Sequence, residues 1–293
     1  MLPLVIALAL GATPVRRVPV APAETLLVTV QGEGPPVILV PGLFGSAYGW
    51  QRVVSLLAAS GRRTIVIEPL AIGGSSRPRG ADYSLTAQAD RIAAVLDTLR
   101  VRDAVVVAHS VGAAMVLRMA VRRPDLVSAV VSLDGGPAEA AATPGFRRAM
   151  ALAPLIRLLG AAGLRRRLRS SLEHASGDPA WVTDEAIAGY TAGATADLGA
   201  TLRAFMAMAE SRESMALGPR LAELRCPVFL LVGAVPHAGR VAEGEIALFR
   251  SAVAAFDLEM VPGAGHYLQE ERPDVVAATV ERALSRVVPA ASR

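Results

Sequence analysis

The stretch Ala104-Val105-Val106-Val107-Ala108-His109-Ser110-Val111-Gly112 decides the interpretation of this chain. Its first five residues predict a buried strand that runs directly into Ser110, and the pattern of residues 111–121 predicts a helix that leaves it. A serine on so sharp a turn presents its hydroxyl to a small reactant. Small residues are needed two positions before and after it, where Ala108 and Gly112 stand. A serine that simply caps an ordinary helix is the alternative.

Composition narrows the class of protein. The chain has 293 residues and 53% of them are hydrophobic, which suits one large α/β domain or a domain with an insertion. All 30 basic residues are arginine, but the net charge is only +4, so the composition does not predict binding to nucleic acid. Cys226 is the only cysteine, which excludes an internal disulfide and a cysteine metal cluster.

Alternating strand and helix patterns predict a mostly parallel, doubly wound sheet of the α/β class. Strands are predicted at 24–30, 37–40, 64–67, 104–108, 127–133, 228–232 and 256–261, and helices at 47–59, 85–99, 111–121, 243–251 and 273–287. From about residue 137 to residue 220 only helical patterns occur. The predicted organisation is a signal-like segment and Pro-rich linker (1–22), a core (23–136 and 221–293) and a helical cap (137–220).

The first 12 residues form an apolar run that is too short to span a bilayer. The run resembles the apolar region of a secretory signal, although it lacks a basic start. We therefore predict export to the periplasm or the medium. An apolar N-terminal helix on a cytoplasmic protein is the alternative.

Two further segments fall at the same predicted sheet edge as Ser110. Pro41–Gly45 follows a buried strand, and the Leu43 N–H there could pair with the Val111 N–H to hold an oxyanion. A plain glycine-rich turn is the alternative. His266 follows the last strand, and a serine needs such a base because its hydroxyl is a poor nucleophile at neutral pH.

The order of oxyanion turn, elbow serine, helical insertion and late Gly-His resembles the cap-bearing serine hydrolases of the α/β-hydrolase fold superfamily. The resemblance spans about residues 24–287 and includes a glycine-serine loop at Leu70–Pro78 and a cap-helix entry at Gly177–Glu185. It implies a helical cap inserted after the sixth strand, a Ser110 nucleophile, a His266 base and no cofactor or metal. Epoxide hydrolases and dehalogenases of this fold use aspartate where Ser110 stands.

The acid of the implied triad is less clear than the serine and the histidine. Members of the superfamily usually carry it just after the strand predicted at 228–232, where this chain has Pro236. Asp134 ends the strand 127–133 at the same sheet edge, and some members carry their acid there. We predict that Asp134 orients His266. An aspartate that only caps its turn is the alternative.

The remaining histidines and the arginines of the cap are interpreted as structural. His109 is expected to pack beside the serine, and His174 and His237 are predicted in polar loops without metal-ligand spacing. Seven arginines and no acidic residue occur between Thr143 and Ser170. A solvated helix face explains them, with contact to a membrane or an anionic substrate as the alternative.

The predicted function is hydrolysis of a carboxylic ester or related acyl compound through an acyl-enzyme. The partner is a small molecule, which we expect to be apolar because several methionines of the cap could line an adaptable pocket: Met150, Met206, Met208 and Met215. A C–C bond hydrolase of the same fold is one alternative. A non-catalytic ligand-binding protein on a hydrolase scaffold is another, suggested by Pro236 in place of the usual acid. The sequence does not indicate the oligomeric state.

Overall fold

An eight-stranded sheet with the strand order β1-β2-β4-β3-β5-β6-β7-β8 forms the centre of the molecule. The computed structural model describes residues 14–141, 144–214 and 216–287. The signal-like run and Met215 lie outside these residues, so the predicted export stays a prediction. The strands are β1 (Val15–Ala21), β2 (Glu24–Gln31), β3 (Pro36–Val40), β4 (Arg63–Glu68), β5 (Ala104–His109), β6 (Val127–Leu133), β7 (Val228–Gly233) and β8 (Phe256–Val261).

Ten helices accompany the sheet in the described part of the chain. They are α1 (Gln51–Ala59), α2 (Leu85–Thr98), α3 (Val111–Arg122), α4 (Pro144–Ala151), α5 (Ala153–Ala175), α6 (Asp184–Ala196), α7 (Leu198–Glu210), α8 (Glu243–Ala252), α9 (Leu268–Glu271) and α10 (Pro273–Val287), with short 3₁₀ turns at Ala47–Trp50, Pro179–Trp181 and Gly218–Glu223. Among the residues described, none of these helices is both long and apolar enough to cross a membrane.

Helices cover both faces of the sheet. Alternate residues of the central strands belong to two separate cores: one contains side chains of α1 and α10, and the other contains side chains of α2, α3 and α8. Strand β5 is therefore buried at every position, as a strand covered on both sides must be. Among the strands described, β2 pairs in antiparallel fashion with β1 and with β4, whereas β3 to β8 run parallel to one another. The predicted doubly wound α/β class is confirmed.

The prediction of a linker before residue 22 is wrong in part. Residues 15–21 form β1, which pairs with β2 at the edge of the sheet. The proline content suggested a linker, but an edge strand tolerates proline because one side of it needs no partner for its N–H groups. Pro19 lies next to the irregularity in the β1–β2 register.

The segment between β6 and β7 is helical and packs on the loops at the carboxyl edge of the sheet. We call residues 137–220 the helical insertion. Phe44, after β3, meets Phe205 of α7 with ring centroids 5.0 Å apart. Tyr267, after β8, meets Trp181 of the insertion at 5.3 Å. The insertion therefore contacts the segments that carry the predicted oxyanion turn and the predicted base.

Backbone hydrogen bonds fasten the end of α5 to the segment around His266. The N–H of His266 donates to the carbonyl of Ala175 at 2.7 Å. One carboxylate oxygen of Glu271 accepts from the N–H groups of Gly177, Asp178 and Gly265 at 2.7, 3.0 and 3.1 Å. The backbones approach so closely that a Cβ at Gly265 would lie 2.4 Å from the Ala175 oxygen. Only glycine fits at this position.

We expect Gly265→Ala to destabilise the fold by about 1–3 kcal/mol, because the added Cβ overlaps fixed backbone atoms. Gly244→Ala in α8 is the matched control, since a Cβ there meets nothing within 4 Å. The control should leave stability unchanged or raise it by up to about 1 kcal/mol. Urea unfolding of both variants measures the difference, and equal midpoints would contradict the packing argument.

Candidate active site

Ser110 occupies the turn between β5 and α3 in a strained backbone conformation. Its φ of 53° and ψ of −128° are unusual for a residue with a side chain. The N–H of Ser110 donates to the carbonyl of Leu133 at 2.9 Å, which ties the turn to the end of β6. A Cβ at Gly112 would lie 2.9 Å from the Pro41 oxygen, so glycine allows the 41–45 turn to pack directly against this elbow. Strain of this kind is found at functional sites more often than elsewhere.

The 41–45 turn lies against Ser110, and two hydrogen bonds hold this segment in place. The N–H of Gly45 donates to the Gly42 carbonyl at 3.0 Å, and the N–H of Ala47 donates to Glu68 at 2.7 Å. Within the described residues, the N–H groups of Leu43 and Val111 donate no backbone hydrogen bond. The role of these two N–H groups as an oxyanion hole stays a prediction.

Asp134 and His266 lie together at the same edge of the sheet. Asp134 follows β6, where its left-handed φ of 48° turns the chain away from the strand. Its Oδ2 atom accepts a hydrogen bond from His266 Nδ1 at 3.4 Å. Among the described residues, the side-chain hydrogen bond of His266 is made through Nδ1 and not through Nε2.

The carboxylate of Asp134 is buried but remains ionised. Burial alone would raise the pKa of Asp134, but hydrogen bonds from His237 and His266 outweigh it and hold the pKa at about 2. The Oδ1 atom also accepts from the N–H of Val241 at 3.1 Å. The charge is therefore present at every pH at which the protein would be expected to act.

His237 also belongs to this cluster, although the sequence indicated a surface loop. Its backbone is in the polar loop after β7, but its side chain is completely shielded from solvent. Nε2 hydrogen-bonds to Asp134 Oδ2, and Nδ1 donates to the Val235 carbonyl at 2.6 Å. The signal that could have found it is its position, because the superfamily resemblance placed the triad acid in this loop and His237 directly follows Pro236.

The two other histidines have different roles. His109 is buried with its ring 4.6 Å from the ring of His266, and its Nε2 donates to the His266 carbonyl at 3.0 Å. Burial and the neighbouring His266 lower the pKa of His109 to about 3, so it stays neutral. His174, predicted in a loop, instead lies exposed in the last turn of α5.

Asp134, His237 and His266 are also the described residues most suited to hold a metal ion. One ligating atom from each lies within 4.8 Å of the others. However, both imidazoles already direct a ring nitrogen at the same carboxylate oxygen. Hydrogen bonds satisfy these atoms, so we assign the cluster to hydrogen bonding.

Glu270 is a second buried acid beside the site. Its Oε1 atom accepts from the hydroxyl of Tyr190 in the helical insertion at 2.9 Å, and its Oε2 lies 3.4 Å from Arg52 Nε. Burial outweighs both contacts and raises the pKa of Glu270 to about 7. The contact between the insertion and α9 therefore includes a carboxyl group that titrates near neutral pH.

Comparison with known proteins shows what part of the chain is similar to. Residues 35–154, which include β3 to β6, match the family model described as alpha/beta hydrolase fold. A solved structure of an epoxide hydrolase without ligand superposes with a TM-score of 0.79 at 18% identity, covering 94% of this chain and 100% of that one. At this identity the likeness shows the fold.

Two curated relatives match a shorter part of the chain. An epoxide hydrolase of Caballeronia sordidicola is 34% identical over 111 residues, which are 38% of this chain and 34% of that protein. An sn-1-specific diacylglycerol lipase of Xenopus laevis is 30% identical over 114 residues, which are 39% of this chain and 36% of that protein. The chain thus spans about a third of the length of these relatives.

We expect Ser110→Gly to be more stable than Ser110→Ala by about 1–3 kcal/mol. Glycine adopts a positive φ without strain, whereas alanine keeps the Cβ that causes it. Both variants lose the hydroxyl, so thermal unfolding of the pair isolates the backbone effect. If alanine is as stable as glycine at this position, the turn is not strained.

We expect Glu270→Gln to change how stability depends on pH. The pKa of Glu270 is raised from 4.5 to about 7 by folding, so the folded state binds the proton more tightly and stability falls as pH rises between these values. Glutamine cannot ionise, so the variant should be more stable than the parent by about 3 kcal/mol above this window and not below it. Unfolding midpoints across pH measure this, and parallel curves would contradict it.

Proposed function

We propose that this chain, which has the α/β-hydrolase fold, is a serine hydrolase that cleaves a carboxylic ester or related acyl compound through an acyl-enzyme. One observation carries the proposal. A strained, half-buried Ser110 lies at the sheet edge where an ionised Asp134 contacts Nδ1 of His266. A nucleophile, a base and a group that orients the base are the three parts that acyl transfer needs.

The proposed reaction begins with proton transfer from Ser110 Oγ to Nε2 of His266. The oxygen attacks the substrate carbonyl, and the N–H groups of Leu43 and Val111 stabilise the oxyanion of the tetrahedral intermediate. His266 then gives the proton to the leaving alcohol as the carbon–oxygen bond breaks. A water molecule, deprotonated by His266, attacks the acyl-enzyme, and Ser110 leaves with the proton as the acid is released. In this proposal Asp134 stabilises the imidazolium form of His266 in both steps.

The surroundings of the site support an apolar acyl group as substrate. More than half of the chain's Phe, Trp and Tyr side chains lie where the helical insertion meets the sheet edge. They are Phe44, Tyr48, Phe146, Trp181, Tyr190, Phe205 and Tyr267. Phe44 directly follows the Leu43 donor, so this apolar surface begins beside the reacting carbon. In this proposal the insertion is the cap of the enzyme and covers the acyl chain.

Ser110 distinguishes acyl chemistry from epoxide opening. The Caballeronia relative and the superposed solved structure are both named epoxide hydrolases, and the superfamily resemblance implies an aspartate nucleophile for that reaction. A serine at this position supports acyl transfer, because its attack on a carbonyl gives an ester that water can cleave.

A fluorophosphonate probe tests the proposal. We expect stoichiometric labelling of the parent protein, which is lost in Ser110→Ala and in His266→Ala because the nucleophile or its base is missing. Ser60→Ala, at an exposed serine after α1, is the control and should label fully. Absence of labelling in the parent would support the non-catalytic alternative and exclude the serine mechanism.

The acid is tested separately by Asp134→Asn. Asparagine tolerates the left-handed backbone of this position, so the substitution removes mainly the charge. We expect kcat for p-nitrophenyl esters to fall by about 10³- to 10⁴-fold. A series of esters with increasing acyl length also shows which chain the aromatic surface accepts. Full activity of Asp134→Asn would mean that another group orients His266.

A further inference from the structure

We infer that His237 is a positioning residue which, as an imidazolium cation, holds the Asp134 carboxylate and sets how strongly that carboxylate stabilises a positive charge on His266. The inference rests on the proposed serine hydrolase function. It concerns a side chain that does not contact Ser110, and it explains why a loop that lacks the usual acid still belongs to the site.

The hydrogen-bond partners of His237 fix its protonation state. A neutral imidazole has one N–H donor and one acceptor nitrogen, whereas the cation has two donors. Here Nδ1 faces the carbonyl oxygen of Val235, which can only accept, and Nε2 faces a carboxylate oxygen of Asp134. Because the carboxylate is ionised, both nitrogens of His237 must carry a proton.

The electrostatic surroundings agree with this assignment. Burial lowers the pKa of His237, but its hydrogen bonds to Asp134 and to the Val235 carbonyl outweigh burial and raise it above its ordinary value. The charged and titratable groups around the ring are Asp134, His266 at a centroid distance of 5.8 Å, and Arg240. Arg240 opposes the cation, but its guanidinium lies within 3.8 Å of Glu243.

Asp134 Oδ2 is shared unequally between the two imidazoles. His237 forms the shorter contact, and His266 Nδ1 lies at 3.4 Å from the same oxygen. The Asp134 carboxylate that faces His266 is therefore already paired with a buried cation, the imidazolium of His237. A paired carboxylate stabilises a second imidazolium less than a bare one does, because the two cations repel each other. His237 thereby limits how strongly Asp134 can stabilise a positive charge on His266.

His237→Gln and His237→Ala separate charge from position. Glutamine keeps an N–H donor of similar reach but removes the cation. The acid limb of the pH profile of kcat/KM should therefore move to higher pH by about one unit. Alanine removes the donor as well and no longer fixes the orientation of the Asp134 carboxylate, so we expect a loss of roughly 100-fold in kcat. KM should change less than about twofold in both variants, since His237 does not line the proposed substrate surface. His174→Ala, at the exposed histidine of α5, is the matched control and should have parent kinetics.

Histidine-selective nitrogen NMR gives a readout that does not need activity. We expect His237 in the parent protein to show two protonated ring nitrogens near neutral pH, and this signal to be lost in His237→Gln. A neutral His237 would overturn the inference whatever the kinetics. So would an unshifted acid limb in His237→Gln, or stoichiometric zinc binding by the parent that His237→Gln abolishes. If the parent hydrolyses no ester but shows the cation, the proposed function fails while the assignment of His237 stands.

Discussion

A single buried carboxylate organises the candidate site. Asp134 is ionised where no solvent reaches it, and a buried charge is tolerated only when its oxygens are hydrogen-bonded. Its partners come from the loop after β7 and from the segment after β8, while its own position ends β6. Leaving this charge unpaired would cost free energy, and the hydrogen bonds that pair it therefore hold three chain segments together. Ser110 joins them because its N–H bonds to the last residue of β6.

Small residues make this assembly geometrically feasible. The elbow contacts the 41–45 turn, and the His266 segment contacts the end of α5. In both places backbone atoms lie so close together that no side chain fits at Gly112 or Gly265. The sheet holds the Ser110 turn rigidly, since β5, which leads into it, is buried on both faces. A reactive group held on such a support loses little orientation to thermal motion, and orientation is a large part of what a catalyst provides.

The sequence predicted the fold well because its signals were local. Strands β6 and β8 and helix α10 have the bounds expected from their apolar patterns and flanking turn residues. Asp134 and His266 could be paired in advance because parallel strands bring their carboxyl ends to one edge. Two features could not be read in this way. Strand β1 depends on pairing with β2, which proline content concealed, and His237 is buried by contacts over 100 residues away in sequence, which no periodicity reveals.

Glu271 has a consequence for how substrate would reach the proposed site. Its carboxylate joins the end of α5 to the backbone just before His266. Swinging the helical insertion outward at this corner would break charge-assisted hydrogen bonds and displace the base. A second contact between the insertion and the sheet edge consists of the rings of Phe44, Phe146 and Phe205, which are not held by hydrogen bonds to one another. For the proposed enzyme, this contrast favours entry beside the rings over entry beside Glu271, so the path of an acyl chain and the surface that binds it would be the same.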